Sequence, residues 1–350
     1  MAYEEYEDKI RLTGRTGEKE PQTSPYCDFV YYESTRTPGV TLAARIIKPS
    51  KPSYIVAGTH GWHMSIPKFE QMNEPREGND YLKVEVDMRG RAHSEGAPDC
   101  NGWELYDVID AVEYARAHYA EYILDPEVVY FEAGSGGGGN AMAIVGKFPD
   151  YFAACTALCG MSDYALWYKD DAVGEFRDEL DVWIGRSPED DPMAYRSRSG
   201  LALAGNLHTP IYLAHGETDE RVPAEHSRLF AAKAAELGKQ SLVRYYELPG
   251  VGTKDHWGRA TAEMMERVRR ESEDNRQAHR TPVRLPAQGR LTVGGYVFTK
   301  PFSIVLDSPD KVAVVDYDLD AGKFDVTCAT ECGYTLDTGI GPVQGRATVR

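Results

Sequence analysis

The stretch Ala133-Gly134-Ser135-Gly136-Gly137-Gly138-Gly139 follows the apolar run Glu127-Val128-Val129-Tyr130-Phe131 and precedes small and apolar residues over 140–145. A strand that ends in Gly-Ser-Gly and turns at once into a helix is typical of the turn that presents a nucleophilic serine. This turn is sharp, so the residues two positions before and after the serine need small side chains; in this chain they are Ala133 and Gly137. We therefore predict that Ser135 is the nucleophile of a serine hydrolase.

The same glycines allow two other interpretations. Gly134, Gly136 and Gly139 fit the G-x-G-x-x-G pattern of a dinucleotide-binding turn. Such a turn opens the first βαβ unit and is followed about 20 residues later by an acidic residue at a strand end. In this chain the pattern lies in the middle, and the next predicted strand, 152–158, ends in Cys159-Gly160. A flexible glycine loop is the third interpretation, and we favour the nucleophile turn over both.

Composition and charge narrow the class of protein. The chain has 350 residues, of which 42% are hydrophobic and 11% aromatic, enough for one large domain with a core and a small second one. A net charge of −16 disfavours nucleic acid and anionic membrane surfaces as partners. No apolar stretch approaches the length of a membrane span. The polar N-terminal residues carry no secretory pattern, which predicts a cytoplasmic location and leaves secretion open.

Six cysteines are dispersed along the chain. Cys155 and Cys159 lie four residues apart, as do the two C-terminal cysteines, whereas zinc pairs usually have two intervening residues and a histidine partner at set spacing. Cys155 and Cys159 fall in an apolar strand, where buried thiols are expected. His60 and His63 are close in sequence but have no third ligand cluster. We predict no metal site and no cofactor.

Apolar strands alternate with helices from about residue 27 to residue 270, in a rhythm typical of a mostly parallel sheet with helices on both faces. The predicted strands cover residues 29–32, 40–47, 54–58, 82–87, 127–131, 152–158, 210–214 and 242–248, and the first two form an antiparallel pair. Residues 160–208 interrupt the rhythm with an amphipathic helix and loops. An insertion there lies over the carboxyl edge of the sheet, where ligands bind, so we predict a short cap.

The chain divides into four predicted parts. They are a polar N-terminal segment (1–25), an α/β domain (26–272) with the cap at about 160–208, a polar, proline-bounded linker (273–286) and a small all-β domain (287–350). The last part rests on short β-rich runs with turn signals between them, at 291–298, 302–306, 311–317, 323–327 and 347–349. We expect it to pack on the α/β domain, with ligand binding as the alternative.

The partners of Ser135 follow from the order Ser…Asp…His, in which the acid follows a later strand and the histidine lies on the loop after the last strand. Strand 210–214 leads into a turn with Asp219 at its tip. Strand 242–248 leads into the loop that carries His256. In such a triad the histidine takes the proton of the serine, and the carboxylate fixes the tautomer of the histidine.

Other polar residues near these loops are weaker candidates. Glu217 and Glu220 are alternatives for the acid, and Asp255 is close to His256 in sequence but awkwardly placed to reach its ring. His215 lies on the same turn as Asp219, where a structural hydrogen bond is the expected role.

An oxyanion hole needs two N–H donors directed at the developing negative charge. The amide of Gly136, directly after the nucleophile, is the first, and the start of the following helix directs its positive dipole end to the same point. The second is expected from the loop after strand 54–58. We assign it to the Trp62 amide, with the His63 amide as the alternative.

Aromatic residues of the cap are the candidate substrate contacts. Tyr164, Trp167 and Tyr168 are expected near the mouth of the site, beside Trp62. Their rings suit acyl groups or stacking on sugars. The alternative is that some of them only pack the cap against the sheet.

Taken together, these motifs resemble the α/β-hydrolase superfamily, and within it the catalytic domain of the prolyl oligopeptidase family and its acetylxylan-esterase-like relatives. The matching pieces span about residues 27–270: His60-Gly61, Asp87-Met88-Arg89-Gly90-Arg91, Trp103-Glu104-Leu105-Tyr106-Asp107, the turn at Ser135, Thr209-Pro210, His215-Gly216, Asp219, Val222-Pro223 and the His256 loop. The resemblance implies an α/β-hydrolase fold and acyl transfer through a serine.

The chain also departs from the family pattern. Ala133 stands where the family usually has glycine, and Trp62 stands where many of its esterases have tyrosine, which removes a hydroxyl donor. Peptidases of the family usually carry a large N-terminal propeller that makes them size-selective, whereas only the polar residues 1–25 precede the domain in this sequence.

Three functions remain open from the sequence. The first is a serine esterase acting on a small acyl ester or a carbohydrate or plant-derived ester, with a small-molecule ester as its partner and homo-oligomer formation left open. The second is an aminopeptidase or small-peptide hydrolase. The third is a carbohydrate-binding protein that uses the C-terminal β domain and whose triad is idle or repurposed.

Overall fold

The computed structural model describes residues 19–67, 80–171 and 174–350. Residues 1–18 of the predicted N-terminal segment and residues 172–173 of the predicted cap lie outside the described residues. The strands of the described chain form two sheets, and the larger sheet carries the candidate site at its carboxyl edge.

Nine strands of the described chain build the larger sheet: β1 (Gln22–Thr23), β2 (Cys27–Glu33), β3 (Thr41–Ile47), β4 (Ile55–Thr59), β5 (Leu82–Asp87), β6 (Val129–Gly134), β7 (Ala154–Leu158), β8 (Ile211–Gly216) and β9 (Val243–Leu248). Their spatial order is β1-β2-β3-β5-β4-β6-β7-β8-β9. The pairs from β1 to β5 are antiparallel and those from β5 to β9 are parallel. The predicted α/β fold and its opening antiparallel pair are therefore confirmed.

The helices of the described chain are α1 (Glu104–His118), α2 (Gly136–Lys147), α3 (Tyr164–Asp170), α4 (Arg177–Ile184), α5 (Pro192–Arg196), α6 (Glu225–Glu236) and α7 (Ala262–Ala278). Helix α2 is buried along its whole length because it follows the central strand β6 and packs between the sheet and the C-terminal domain. The carboxylate of Asp99 accepts the N–H groups of Trp103 and Glu104, which satisfies the free donors where α1 begins.

The cap consists of α3, α4 and α5 and has an apolar cluster of its own. Leu180, Trp183 and Ile184 of α4 are buried there, as the amphipathic spacing over 176–184 predicted. The N-cap residues Asp163 and Asp191 accept backbone N–H groups at the starts of α3 and α5. Local capping and ring packing therefore stabilise the described part of the cap.

Two predicted boundaries need correction. Helix α7 continues through residues 273–278, which the sequence pattern placed in the linker. The polar side chains that suggested a linker bond to the sheet instead, because Asn275 Nδ2 donates to the Cys155 carbonyl at 2.9 Å and Arg276 pairs with Glu132. At the other end, strand β1 pairs with β2, so part of the predicted polar segment 1–25 belongs to the sheet edge.

The C-terminal domain is a second sheet of eight strands: β10 (Gln288–Gly294), β11 (Tyr296–Phe298), β12 (Ser303–Leu306), β13 (Val312–Asp318), β14 (Lys323–Cys328), β15 (Gly333–Asp337), β16 (Pro342–Arg346) and β17 (Thr348–Val349). Its order is β16-β15-β12-β11-β10-β13-β14-β17, antiparallel except for the pair of β14 with β17. Strands β15 and β16 were not predicted from the sequence, because their side chains are half-buried or exposed and show no apolar alternation.

This domain packs directly on the α/β domain. The Tyr296 ring stacks on Trp103 at a centroid distance of 4.6 Å, and its hydroxyl donates to the Gly102 carbonyl at 2.7 Å. Arg198, in the last part of the cap region, pairs with Asp310 at 2.7 Å. The β domain therefore contacts both the helical layer and the cap.

All six cysteines lie in the described chain, where they are buried and not disulfide-bonded. None of the helices within 19–67, 80–171 and 174–350 combines the length and the apolar character needed to cross a bilayer.

Candidate active site

Ser135 stands at the junction of β6 and α2 with a strained backbone. Its φ is +57° and its ψ is −124°, a region that residues with a side chain rarely adopt. Its N–H donates to the Leu158 carbonyl at 2.8 Å, and its carbonyl accepts from Gly139 N at 3.1 Å. The predicted turn from strand to helix is present, and it exposes the serine side chain at the end of the central strand.

The glycines around Ser135 allow the backbone segments to approach each other closely. A Cβ on Gly137 would lie 2.8 Å from the Ala133 Cβ. This is the clash expected between the residue two positions before the serine and the residue two positions after it. A Cβ on Gly138 would lie 2.6 Å from the Leu158 carbonyl oxygen and 2.8 Å from Gly160 Cα. The glycine run therefore meets the steric demand of the turn that presents Ser135.

The predicted triad residues lie in one hydrogen-bonded chain. Ser135 Oγ is 2.8 Å from His256 Nε2, and His256 Nδ1 is 2.6 Å from Asp219 Oδ2. The Asp219 side chain is fully buried and the His256 side chain is 15% exposed. This arrangement leaves the serine hydroxyl facing the cleft with a proton acceptor on one side.

The environment of Asp219 keeps it ionised. Burial alone would raise the pKa of Asp219, but the His215 ring 3.6 Å away and the hydrogen bonds from His256 and the Val222 N–H outweigh burial and hold that pKa well below its usual value. The backbone N–H groups of Arg221 and Val222 each donate to Oδ1 at 3.0 Å. A carboxylate held in this way is suited to fixing the Nδ1–H tautomer of His256.

The competing acids and histidine have other partners. Glu217 accepts the Gly250 N–H at 2.7 Å, and Asp255 accepts the Trp257 N–H at 3.2 Å. His215 is buried between the Ser227 hydroxyl at 2.7 Å and the Val222 carbonyl at 2.8 Å, the structural role expected of it.

Among the described residues, one group of possible metal ligands includes the acid Asp219. The ligand atoms of Cys159, His215 and Asp219 lie within 4.8 Å of one another. Both ring nitrogens of His215 already have hydrogen-bond partners, and burial raises the pKa of the Cys159 thiol well above its usual range. A protonated thiol and a histidine bound in this way are suited to hydrogen bonding rather than to metal ligation.

The two predicted oxyanion donors lie next to each other. A Cβ on Gly136 would lie 2.5 Å from the Trp62 backbone nitrogen, so these two backbone segments are in direct contact beside Ser135. The Trp62 indole points away from the cleft floor into the cap, where its Nε1 donates to Glu179 at 2.5 Å. The contact explains why a side chain cannot replace Gly136.

A cavity of about 160 Å³ opens over the triad and has mostly apolar walls. Its lining residues are Gly61, Trp62, His63, Met64, Ser135, Trp167, Phe176, Arg221, Val222 and His256. Trp167 is the predicted substrate contact that does line it. The site therefore pairs a polar triad with an apolar binding space.

The other two predicted substrate contacts do not line the cavity. Tyr164 is fully buried and its hydroxyl accepts from Asn101 Nδ2 at 3.1 Å. Tyr168 contacts the Tyr195 ring and is 3.3 Å from Asp181 Oδ2. Both residues pack the cap, which was the alternative interpretation for the aromatic residues.

Several residues of the cleft were not predicted from the sequence. Phe176 stacks on Trp167 at 4.3 Å, and Met64 is 56% exposed at the mouth. Arg221 lines the cavity and pairs with Glu175 at 2.6 Å. The position of Arg221 two residues after the acid was a usable signal, whereas Met64 and Phe176 reach the cleft only through the packing of the cap and the loop after β4.

Comparison with known proteins agrees with this fold. The prolyl oligopeptidase family model matches residues 67–273, more than half of the chain. The chain therefore belongs to the prolyl oligopeptidase family, a family of serine hydrolases. The Pyrococcus horikoshii acylaminoacyl peptidase shares the fold with a TM-score of 0.55 and 20% identity, over 75% of this chain and 41% of that one.

The relatives of this chain include one protein named as a peptidase and one named as an esterase. The uncharacterized peptidase YtmA of Bacillus subtilis is 26% identical over 158 residues, covering 45% of this chain and 60% of that protein. The esterase LipQ of Mycobacterium tuberculosis is 29% identical over 167 residues, covering 44% of this chain and 39% of that protein. The chain thus spans less than two thirds of the length of either relative.

Proposed function

We propose that this protein is a serine hydrolase that cleaves carboxylic esters with a small acyl group, with Ser135 as the nucleophile. The observation that carries the proposal is the hydrogen-bonded chain from Ser135 Oγ through His256 to Asp219 under an apolar cavity of about 160 Å³. Such a chain activates a serine hydroxyl for attack on a carbonyl carbon.

In the proposed reaction Ser135 Oγ attacks the ester carbonyl while its proton passes to His256 Nε2. The carbonyl oxygen becomes an oxyanion that accepts hydrogen bonds from the amides of Gly136 and Trp62. Collapse of this intermediate breaks the bond to the alcohol, which leaves with the proton from His256. Water then loses a proton to His256 and attacks the acyl-enzyme, and the carboxylic acid leaves as Ser135 recovers its proton.

The walls of the cavity support a short apolar acyl group. Met64, Trp167, Phe176 and Val222 line the space around the serine, and the exposed lining is mostly carbon. A charged acyl group would lose its hydration there. Arg221 is one of the lining residues, and its guanidinium already pairs with Glu175. These walls favour acetyl-sized to benzoyl-sized groups, and an acetylated sugar is one substrate of this kind.

A small-peptide hydrolase is the second candidate, and one structural observation favours it. Arg221 lines the cavity beside Val222, and the guanidinium N–H groups that do not bond to Glu175 could donate to a peptide carbonyl. The curated relative YtmA is also named a peptidase. The same triad would then release an amine rather than an alcohol.

The carbohydrate-binding alternative has less support. Every residue of the C-terminal domain is described, and none of its six aromatic rings is fully exposed. Tyr296, Phe302 and Tyr317 are buried, and Tyr296 packs on Trp103. Stacking on a sugar needs an open ring face, so this domain is better suited to packing on the α/β domain.

A substrate panel tests the proposal. Acetylated sugars, p-nitrophenyl acetate, p-nitrophenyl benzoate and aminoacyl p-nitroanilides are assayed with the wild type and with Ser135→Ala. We expect turnover of the short esters and loss of that turnover in Ser135→Ala.

Ester turnover that persists in Ser135→Ala would contradict the proposal. Faster cleavage of the anilides than of every ester would favour the small-peptide hydrolase. A folded-state control is the circular dichroism spectrum of Ser135→Ala, which should match the wild type because the change removes one hydroxyl at the surface of the cleft.

A further inference from the structure

Glu179 is a buried carboxylate on helix α4 of the cap that no step of the proposed reaction uses. Its side chain is fully buried. Its Oε2 accepts a hydrogen bond from Trp62 Nε1 at 2.5 Å and a second from His63 Nε2 at 2.8 Å. One carboxylate oxygen of the cap therefore bonds to two consecutive side chains of the loop after β4, the loop that supplies the proposed second oxyanion donor.

The Trp62 indole lies inside the cap. Its ring centroid is 4.6 Å from that of Trp183 and 4.9 Å from that of Trp167, and the residue is 8% exposed. Indole has a single N–H donor, and a buried donor without an acceptor is unfavourable. Glu179 supplies that acceptor, so its carboxylate fixes the orientation of the indole and with it the backbone that carries the ring.

The backbone of Trp62 is held from the other side by the turn at Ser135. A Cβ on Gly136 would lie 2.5 Å from Trp62 N and 2.6 Å from Trp62 Cα. The two backbone segments therefore lie close together, with no room for a side chain between them. Movement of the loop away from the nucleophile is opposed through the side chains of Trp62 and His63, which are bonded to Glu179.

We propose that Glu179 is a positioning residue that sets the oxyanion hole from the cap. By fixing Trp62 and His63, it places the Trp62 amide beside the Gly136 amide and makes a complete oxyanion hole depend on the docking of α4. This inference rests on the proposed function. A misplacement of about 1 Å at such a donor can lower a rate on the order of 100-fold.

Two substitutions separate the acceptor from the packing. Glu179→Gln keeps an oxygen that can accept from both Trp62 and His63, whereas Glu179→Leu fills a similar volume without an acceptor. We expect Glu179→Leu to lower kcat for p-nitrophenyl acetate roughly 30- to 100-fold with KM within about threefold of the wild type. Labelling of Ser135 by a fluorophosphonate should slow by a similar factor. Glu179→Gln should stay within about fivefold of the wild type.

Trp62→Phe provides a second route to the same test, since it keeps an aromatic ring and the carboxylate but removes the N–H donor. It is expected to lower kcat about tenfold and to slow labelling in proportion. If Glu179→Leu does not fold, Trp62→Phe still tests the positioning role of Glu179.

The matched control is Asp191→Ala, which removes the N-cap of α5, a cap helix with no residue at the cavity. It should lower the melting temperature while kcat stays within about twofold of the wild type. Wild-type kcat and labelling in both Glu179→Leu and Trp62→Phe, or an equal loss in Asp191→Ala, would overturn the positioning role. A wild type that neither turns over esters nor labels at Ser135 would instead overturn the proposed function.

Discussion

The two sides of the cleft are built in different ways. On the triad side, Ser135 is placed by backbone geometry: its φ is +57°, and the glycines that follow it leave no room for side chains. On the cap side, Trp167 and Phe176 are placed by ring stacking at 4.3 Å, and Trp167 Nε1 donates to the Arg221 carbonyl at 2.9 Å.

This difference separates the proposed chemistry of the protein from its proposed substrate preference. The proposed chemistry depends on a short sequence pattern that fixes one turn and on two loops at the ends of parallel strands. The binding space depends on side chains that are distant in sequence and meet only when the cap packs. We therefore expect substitutions on the triad side to remove activity or folding, and substitutions on the cap side to change which acyl group is preferred.

The largest effect is expected from His256→Ala. The imidazole is the only proton acceptor within hydrogen-bond distance of Ser135 Oγ among the described residues. Its loss should lower kcat/KM for p-nitrophenyl acetate about 10⁵-fold, as for other triads that lose their base. Steady-state kinetics measure the change, and a loss of less than tenfold would break the assignment of the triad side.

Gly138→Ala should destabilise the fold more than any cap substitution. The new Cβ would lie 2.6 Å from the Leu158 carbonyl oxygen and 2.8 Å from Gly160 Cα, both of which are backbone atoms with little freedom to move. We expect a loss of about 3 kcal/mol or more in the free energy of unfolding, measured by urea denaturation.

Gly205→Ala is the matched control, because a Cβ at that position meets nothing within 4 Å. Its stability should stay within about 1 kcal/mol of the wild type. Equal stability of the two variants would show that the turn at Ser135 is less tightly packed than the structure indicates.

Asp219→Asn should change how stability depends on pH. Burial alone would raise the pKa of Asp219, but the nearby His215 ring and the hydrogen bond from His256 hold that pKa below its usual value, so the native state favours the ionised form. The stabilisation is then fully present above the unfolded-state pKa and is lost as the pH falls below it. We expect the wild type to exceed Asp219→Asn by about 2 kcal/mol at pH 7 and the gap to narrow below about pH 4.

The difference in stability between the two proteins is measured by thermal unfolding at pH values from about 3 to about 8, which include the range where carboxylates titrate. A gap that widens toward low pH would contradict the expected sign, because it would mean that the native state favours the protonated carboxyl.

The smallest effect is expected on the cap side, where two aromatic residues are compared. Phe176→Leu alters the wall of the cavity, whereas Tyr168→Leu alters a residue that contacts Tyr195 away from it. The ratio of kcat/KM for p-nitrophenyl benzoate and p-nitrophenyl acetate should change about tenfold in Phe176→Leu and less than about twofold in Tyr168→Leu. A larger change for Tyr168→Leu would return that residue to the substrate site.

The triad was predictable from sequence because each member follows a recognisable strand. Ser135 lies in a Gly-Ser-Gly pattern that is typical of a sharp turn from strand to helix. Asp219 and His256 lie on the loops after two later apolar strands. The cap contacts were less predictable, since Tyr164, Trp167 and Tyr168 are aromatic residues that fall within about one turn of the same helix. Only the packed structure shows that Trp167 alone of the three lines the cavity.

In the fold, too, the strands with an apolar pattern were predicted and those without one were not. Buried parallel strands such as β8 are continuous apolar runs and were found. Strand β16 has the sequence Pro342-Val343-Gln344-Gly345-Arg346, and its pairing with β15 depends on backbone hydrogen bonds that leave no apolar pattern. The last turns of α7 are polar because they bond to the sheet, and polar residues near a proline are equally typical of a linker.

The central claim is that Ser135 carries the acyl group during turnover. Wild-type protein is mixed with p-nitrophenyl acetate, quenched in acid during the first turnovers, digested and analysed by tandem mass spectrometry. We predict one acetyl group on the peptide that contains Ser135 and on its hydroxyl, with no such adduct in Ser135→Ala. Turnover with the acetyl group on another residue, or an identical adduct in Ser135→Ala, would contradict the claim.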